Sequence, residues 1–215
     1  FTPSGAGATT IDVAGSKFTD PVGNNNSAAT QFAWTYDNVV PTMAITSTTA
    51  GVTTGSTTND ATIALTFTAN EATSNFAVGD ISVTGGTISS FAATSSTVYT
   101  ATFTPSGAGA TTIDVNSSTF TDGAGNNNSA ATQFAWTYDN VVPTMTITST
   151  TSGVTTGSTT ADATIALTFT SSRATSTFAV GDITVTGGAL SSFAATSSTV
   201  YTATFTPSGA GATTV

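Results

Sequence analysis

The amino-acid sequence repeats itself with a period of 102 residues. When residues 1–113 are aligned with residues 103–215, 97 of the 113 positions are identical, and the string FTPSGAGATT recurs at 1–10, 103–112 and 205–214. This self-similarity constrains the fold more than any local feature does, because every period must form the same unit. The chain spans two periods and 11 further residues, so we expect it to be a window cut from a longer tandem array.

The string YDNVVPT, at 36–42 and 138–144, is the expected linker between units. Its proline cannot donate to a β ladder, and it favours an extended conformation in the valine before it. The sequence therefore predicts three pieces: the C-terminal part of one domain at 1–37, a complete domain at 38–139 and the N-terminal part of the next domain at 140–215. A continuous array explains the two partial pieces more simply than strand addition between chains does, because the 11 overlapping residues serve no purpose in complementation.

Alternating apolar and polar residues predict strands throughout the chain. In the complete domain the alternating segments lie at 43–48, 62–67, 80–85, 89–94, 97–103, 111–115 and 132–138. Clusters of Gly, Ser, Asn and Asp separate them, as expected of turns. About seven short strands in about 100 residues are typical of an immunoglobulin-like β-sandwich. The fold class is therefore all-β, with tandem antiparallel β-sandwich domains arranged head to tail. The expected core residues are Phe67, Val83, Phe91, Tyr99, Phe103, Ile113, Phe120, Phe134 and Trp136.

The composition excludes several kinds of function. The chain has no His and no Cys, so it can hold no Ser-His-Asp triad, no Cys nucleophile and no zinc site of the usual ligands. Two basic residues against 11 acidic ones leave a net charge of −9, which argues against nucleic-acid binding. The sequence contains no run of 18 apolar residues, which is about the length that a transmembrane helix needs. Paired carboxylates could in principle cleave a glycosidic bond, but nothing resembles a cleft, so we expect no enzymatic activity.

The few acidic residues fall in segments that the sandwich topology should bring to one pole. Glu71 and Asp80 lie in the second loop of the complete domain, Asp122 and Asn126 lie in the last loop, and Asp37 lies in the linker. Carboxylates this close repel each other unless a cation lies between them, and an all-oxygen set of ligands suits calcium. The alternative is that these side chains only form Asx-turns and caps in polar loops.

These segments also resemble a known family. The strings FTDxxGNNN, YDNVVPT, NEATSNFAVGDISVTGG and VYTATFTP are similar to the bacterial immunoglobulin-like repeats of giant secreted adhesins and surface proteins. The resemblance covers the whole chain. It implies β-sandwiches arranged head to tail, with calcium often bound at the junctions to stiffen the array. The family's acidic positions correspond here to Asp37, Glu71, Asp80, Asp122 and Asn126.

The two junctions differ at one position. The repeat counterpart of Glu71 is Arg173, so the acidic set at the second junction is Asp139 and Asp182. An arginine cannot ligate calcium, but its charge can take the ion's place beside those carboxylates. We therefore expect one junction to bind metal and the other to be salt-bridged or empty.

Together these features favour a structural spacer segment of a very long extracellular repeat protein, a surface adhesin or a fibre, rigidified by calcium at its junctions. Its expected partners are neighbouring repeats of the same chain and, in a fibre, identical chains. The main alternative is a self-assembling extracellular filament or sheath subunit that packs laterally through its repeats. A lesser alternative is a glycan- or ice-binding module, because the strands carry rows of Thr. Ice binding needs a flat array, however, and sandwich strands twist.

Overall fold

The computed structural model describes residues 1–215, and its secondary structure is almost entirely β. Strands account for 43% of the residues, and the only helices are two 3-10 turns of three residues, Val78–Asp80 and Val180–Asp182. The expected all-β class is confirmed. None of the helices has the length and the apolar character that a membrane span requires. The chain divides into two compact units, Phe1–Asn140 and Val141–Val215, which are described separately.

The first unit contains a complete sandwich of two four-stranded sheets. Its eight strands are β3 (Met43–Ser47), β4 (Thr57–Thr58), β5 (Ile63–Ala69), β6 (Ile81–Thr84), β7 (Gly86–Ala93), β8 (Val98–Pro105), β9 (Gly109–Val115) and β10 (Phe134–Tyr138). One sheet has the order β3-β5-β8-β7 and the other has the order β4-β10-β9-β6. All neighbours are antiparallel except β4 and β10, which run parallel. The sequence did not predict β4, because two Thr residues in a polar loop carry no alternation.

The alternating residues of β5 and β8 explain how the sandwich forms. In β5 the side chains of Ile63, Leu65 and Phe67 are buried, and the residues between them face outward. Tyr99 and Phe103 of β8 are buried in the same way. Each fully buried side chain of this size stabilises the fold by about 1.5–3 kcal/mol. The outward positions are mostly Thr, which favours strands because it is β-branched.

The core lies between the two sheets. Of the nine expected core residues seven are buried, and Val83 and Phe91 are partly buried against the same cluster. Sequence reasoning missed Phe76, which lies in a loop. Its ring makes edge contacts with Tyr99 of β8 at 5.0 Å and with Phe120 at 5.1 Å, so it links one sheet to the loop between β9 and β10 of the other.

The N-terminal residues of the first unit form a separate hairpin. Its strands are β1 (Gly7–Ile11) and β2 (Phe32–Tyr36), which pair antiparallel with Gly7 opposite Tyr36. No residue between 1 and 36 is buried, although residues 103–138, which are identical at 31 of the 36 positions, contribute β9 and β10 to the complete sandwich. Phe1 and Phe32 contact Trp34 on the surface of this hairpin.

The second unit contains a single four-stranded sheet. Its strands are β11 (Met145–Ser149), β12 (Ile165–Ser171), β13 (Gly188–Ala195) and β14 (Val200–Pro207). Their order, β11-β12-β14-β13, reproduces the order of the first sheet of the sandwich. The pairing register is also the same after a shift of one repeat, since Met145 lies opposite Ser171 as Met43 lies opposite Ala69. The expected domain boundaries after residues 37 and 139 stay predictions.

Candidate metal centre

Three carboxylates from distant parts of the sequence meet in the first unit. Carboxylate oxygens of Asp37, Glu71 and Asp122 all lie within 4.8 Å of one another. Asp37 belongs to the linker after β2, Glu71 follows β5, and Asp122 lies in the loop between β9 and β10. The sandwich topology places these loops at one pole, so three of the predicted ligands form one cluster.

Asp122 is held by its own loop. It is 4% exposed, and its Oδ1 accepts hydrogen bonds from the backbone N–H groups of Ala124 at 2.8 Å and Asn126 at 2.9 Å. Its Oδ2 accepts a third bond from Asn126 Nδ2 at 2.8 Å. These donors, the Asn126 side chain first, hold the pKa of Asp122 below its usual value despite burial. The residue therefore forms the Asx-turn of the alternative interpretation and also presents a fixed negative charge to the cluster.

Glu71 is the unsatisfied member of the cluster. Its Oε1 atom is buried and has no hydrogen-bond partner. Desolvation raises the pKa of Glu71, and the negative charges of Asp37 and Asp122 raise it further, against a smaller lowering effect of the Asn70 side chain. A buried acceptor without a partner is costly. A cation bound to this oxygen would supply the missing interaction and would offset the repulsion among the three carboxylates.

Asp37 is fixed because the linker around it is bonded to the sandwich. Its Oδ1 accepts from the Val39 N–H at 3.0 Å, and its backbone carbonyl accepts from Asn126 Nδ2 at 3.2 Å. Farther along the linker, the Thr42 N–H donates to Asn70 Oδ1 at 2.6 Å, and the Ser129 N–H donates to the Pro41 carbonyl at 2.9 Å. The linker is thus tied to two different loops of the domain.

Sequence reasoning did not identify Asn70 as part of this arrangement. Its repeat counterpart is Ser172, whose Oγ accepts from the Thr144 N–H at 2.9 Å. The contact therefore persists where the residue changes. The only sequence signal for this contact is a polar residue just after β5 and β12, and such a residue is indistinguishable from an ordinary turn residue.

Two other predicted ligands in the first unit have different surroundings. Asp80 ends the 3-10 turn, and its Oδ2 accepts from the Ala77 N–H at 2.8 Å, so it caps that turn outside the cluster of three carboxylates. Asn126 directs its amide nitrogen toward Asp122 and Asp37. It therefore acts in the structure as a clamp between two members of the cluster.

The residues predicted for the second junction belong to different units. The Asp139 N–H donates to the Thr58 carbonyl at 2.9 Å in the first unit. In the second unit Asp182 Oδ2 accepts from the Ala179 N–H at 2.9 Å, and the Arg173 N–H donates to Ser171 Oγ at 3.3 Å. A charge-balanced second junction stays a prediction.

The donor set of the cluster fits a hard divalent cation. It consists only of oxygen ligands, carries up to three negative charges, and includes one buried oxygen that lacks a partner. Calcium binds 6–8 oxygens and tolerates irregular geometry, whereas magnesium requires a nearly ideal octahedron. The residues Asp37, Glu71 and Asp122 would hold the ion, with Asn126 keeping two of them in place.

The comparison with protein families agrees with the fold. The model of the bacterial Ig-like domain matches residues 37–138 and again residues 139–215, which together cover most of the chain. A search of curated proteins gave no match. Two adjacent matches in one chain confirm the tandem arrangement and the expected resemblance. The chain therefore belongs to the family of bacterial Ig-like domains.

Proposed function

We propose that this chain is a non-enzymatic spacer of a long extracellular repeat protein, a surface adhesin or a fibre, and that calcium stiffens its joints. The proposal depends above all on one observation: Glu71 Oε1 is buried without a hydrogen-bond partner beside Asp37 and Asp122. A structural repeat module is what the family itself provides. The extracellular location and the bound calcium ion are parts of the proposal that go beyond the family.

The position of the cluster supports a mechanical role. Asp37 belongs to the linker, whereas Glu71 and Asp122 belong to the domain that follows it. An ion bound by all three would join the linker to two loops of the sandwich. Bending at this joint would then require breaking ion–carboxylate bonds in addition to the hydrogen bonds of Asn70 and Asn126.

The chemistry of the chain also favours a spacer over an enzyme or a nucleic-acid binder. It has no His and no Cys, and two bases against 11 acids. Because the sequence repeats, any catalytic site would also be duplicated every 102 residues. An extracellular setting suits the proposed ion, because calcium sites in extracellular modules function with dissociation constants of about 0.1–1 mM.

Thermal unfolding of the whole 215-residue chain with calcium, with magnesium and with excess chelator tests the proposal. When the free calcium concentration is ten times the dissociation constant, binding of one ion adds about 1.4 kcal/mol to the free energy of unfolding. For a domain of about 100 residues this raises Tm by about 5–10 °C. Small-angle scattering on the same samples should show a stiffer particle with calcium.

Two variants make the test specific. Glu71→Gln should remove most of the calcium-dependent shift in Tm. Asp114→Asn removes the same charge from a half-buried position of β9 outside the cluster, where the carboxylate accepts bonds from Gln133 at 3.0 Å, and should leave the shift unchanged. An unchanged Tm in the wild-type protein at millimolar calcium would reduce the three carboxylates to ordinary loop residues.

A second candidate is a filament that packs laterally through its repeats. The outward residues of the sheet β3-β5-β8-β7 are Thr, Ser and Ala together with Val98, so this face has no ionisable group on a chain of net charge −9. The sheet β11-β12-β14-β13 presents the same kind of face. Electron microscopy of concentrated protein would separate the candidates. Ordered filaments that survive chelation and disappear after Thr66→Lys and Thr102→Lys substitutions would favour lateral packing.

A further inference from the structure

Strand β3 forms an open edge of the complete sandwich, because the sheet order β3-β5-β8-β7 gives it a single neighbour. At the two ends of this pairing the Asn70 N–H donates to the Thr42 carbonyl at 3.3 Å, and the Thr48 N–H donates to the Ala64 carbonyl at 3.0 Å. In an antiparallel pair, residues that exchange bonds with the neighbour alternate with residues that do not. The odd-numbered residues of β3 therefore direct their N–H and C=O groups away from the sheet. These residues are Met43, Ile45 and Ser47.

The same backbone orientation recurs one repeat later in β11. There the Ser172 N–H donates to the Thr144 carbonyl at 2.9 Å, and the Thr150 N–H donates to the Ala166 carbonyl at 3.0 Å. Strand β11 also has a single neighbour, β12. The open edge therefore follows from the sheet order that both repeats share.

The other three edges of the complete sandwich carry features that oppose pairing with a further strand. Strand β4 has only two residues and is followed closely by Asp60. Strand β6 begins directly after Asp80, and Asp114 lies in the strand beside it. Strand β7 is interrupted by a bulge between Ser89 and Ala92. In contrast, β3 keeps a regular register over five residues and contains no charged residue and no proline.

A pocket of about 250 Å³ lies beside the edge of β3. Its lining includes Ile45, Thr46 and Ser47 of β3, together with Val52 and Phe134. Ile45 packs against the core of the sandwich but is only partly buried. A further strand at this edge would place an inward side chain over the pocket and would cover Ile45.

We propose that β3 of one copy of the chain pairs antiparallel with β3 of a second copy, so that the two sheets continue into one another. The two-fold axis passes beside Ile45, which exchanges its outward backbone bonds with Ile45 of the second copy. Met43 exchanges its outward bonds with Ser47 of the second copy in the same way. This is strand addition to an open sheet edge. Because both copies use the same strand, the contact is isologous.

A second copy fits this edge because neither strand brings a charge to the contact. The chain has a net charge of −9, so two copies repel each other where their acidic residues meet. The outward side chains of β3 are Ala44 and Thr46, which carry no charge. Since the edge recurs in the next repeat, each contact between two tandem chains would also favour the following one. The pairing does not depend on the proposed metal joint, and it uses the edge of the sheet and not its outer face.

Disulfide trapping of the whole 215-residue chain tests the pairing and its register, because the chain contains no cysteine. With Ile45 on the axis, Ala44 of one copy lies opposite Thr46 of the other as a non-hydrogen-bonded pair, with Cα atoms about 4.5 Å apart. Two Ala44 residues, or two Thr46 residues, are diagonal neighbours about 7–8 Å apart. Disulfides join Cα atoms up to about 6.8 Å apart.

An oxidised mixture of Ala44→Cys chains and Thr46→Cys chains should therefore give a crosslinked dimer, and each variant alone should give several-fold less. The reaction is run in chelator, so that its outcome is independent of the metal joint. A mixture that gives no dimer, or no more dimer than the single variants, would overturn the proposal. Adding Thr66→Lys and Thr102→Lys, which block packing through the outer face, should leave the yield unchanged. A loss of the dimer in that background would assign the contact to the face and contradict edge pairing.

A proline at position 45 tests the backbone bonds themselves. Ile45→Pro removes the outward N–H and no bond to β5, as edge strands tolerate. Ile45→Ala is the matched control, because it loses the same side chain and keeps the N–H. In both cysteine chains of the mixture, the proline should lower the dimer yield by about tenfold or more relative to the alanine, since two hydrogen bonds between the copies are lost. Circular dichroism should show both variants folded. Equal yields from the two folded variants would contradict pairing through the backbone of β3.

Discussion

The side-chain amide of Asn126 donates a hydrogen bond to the backbone carbonyl of Asp37, 89 residues earlier in the chain, at 3.2 Å. The same nitrogen donates to Asp122 Oδ2 at 2.8 Å. One side chain therefore holds the linker and the last loop of the domain at the distance that the carboxylate cluster requires. The contact to Asp37 does not follow from the local sequence, because the loop of Asp122 makes its own bond to Asn126 without Asp37, as the loop of Asp20 does with Asn24 in the hairpin.

Asn126→Ala should loosen this joint. Two side-chain hydrogen bonds are lost at a half-buried site, which should reduce the free energy of unfolding by about 1–2 kcal/mol, and calcium affinity should fall with it. Denaturant unfolding and calcium titration would measure both effects. The matched control is Asn24→Ala, because Asn24 makes the same bond to Asp20 at 2.9 Å in the exposed hairpin. Equal effects of the two substitutions would show that the contact to Asp37 contributes nothing.

The pH dependence of stability should reverse when the ion is removed. Burial raises the pKa of Glu71 in the folded protein, so the folded state binds more protons than the unfolded state between the ordinary and the raised pKa values. In metal-free protein, stability should therefore fall as the pH rises through that range. With calcium bound, the same carboxylate is held ionised, and stability should rise with pH instead.

The pKa of Asp122 is shifted in the opposite direction and acts at lower pH. Its lowered value means that its contribution to stability is present above the ordinary pKa and is lost as the pH falls through the lowered one. Urea unfolding of metal-free protein across the acidic range should separate the two effects. The Glu71→Gln variant should retain only the loss at low pH. A wild-type profile with no decline above the ordinary Glu pKa would contradict the assignment to Glu71.

Gly86 tests the packing of the sandwich independently of any ion. A Cβ at this position would lie 2.4 Å from the Phe103 ring and 2.4 Å from the Thr104 carbonyl oxygen. Since neither a buried ring nor backbone can move away easily, Gly86→Ala should destabilise the domain by about 1–3 kcal/mol. At Gly79 an added Cβ meets nothing within 4 Å, so Gly79→Ala should have little effect. Thermal unfolding of both variants in chelator would decide.

Much of the fold could be predicted because alternation and burial agree along the strands. Phe67, Tyr99 and Phe103 stand at inward positions of β5 and β8, and all three are buried. Phe76 could not be predicted, because a loop residue has no period that assigns it to the core. Its role depends on Phe120, which is 44 residues away in the sequence.

The candidate site could be predicted only in part. Strand order placed Asp37, Glu71 and Asp122 at one pole, and the structure brings their oxygens together. Topology alone does not specify where a side chain points. Asp80 lies in the same loop as Glu71, yet its carboxylate turns back to cap the 3-10 turn through the Ala77 N–H.

The difference between Glu71 and Arg173 gives the sharpest test of the proposed metal joint. Glu71→Arg gives the first domain the residue that the next repeat has at the equivalent position. Its guanidinium would lie beside Asp37 and Asp122 and would balance their charges without an ion. The variant should therefore lose the calcium-dependent rise in Tm and, in chelator, should be at least as stable as the wild-type protein. Glu71→Ala removes the carboxylate without adding a cation, so it should lose the calcium response without gaining stability beyond the relief of repulsion. If calcium still stabilised the arginine variant as much as the wild-type protein, the ion would have to bind elsewhere and position 71 would not be a ligand.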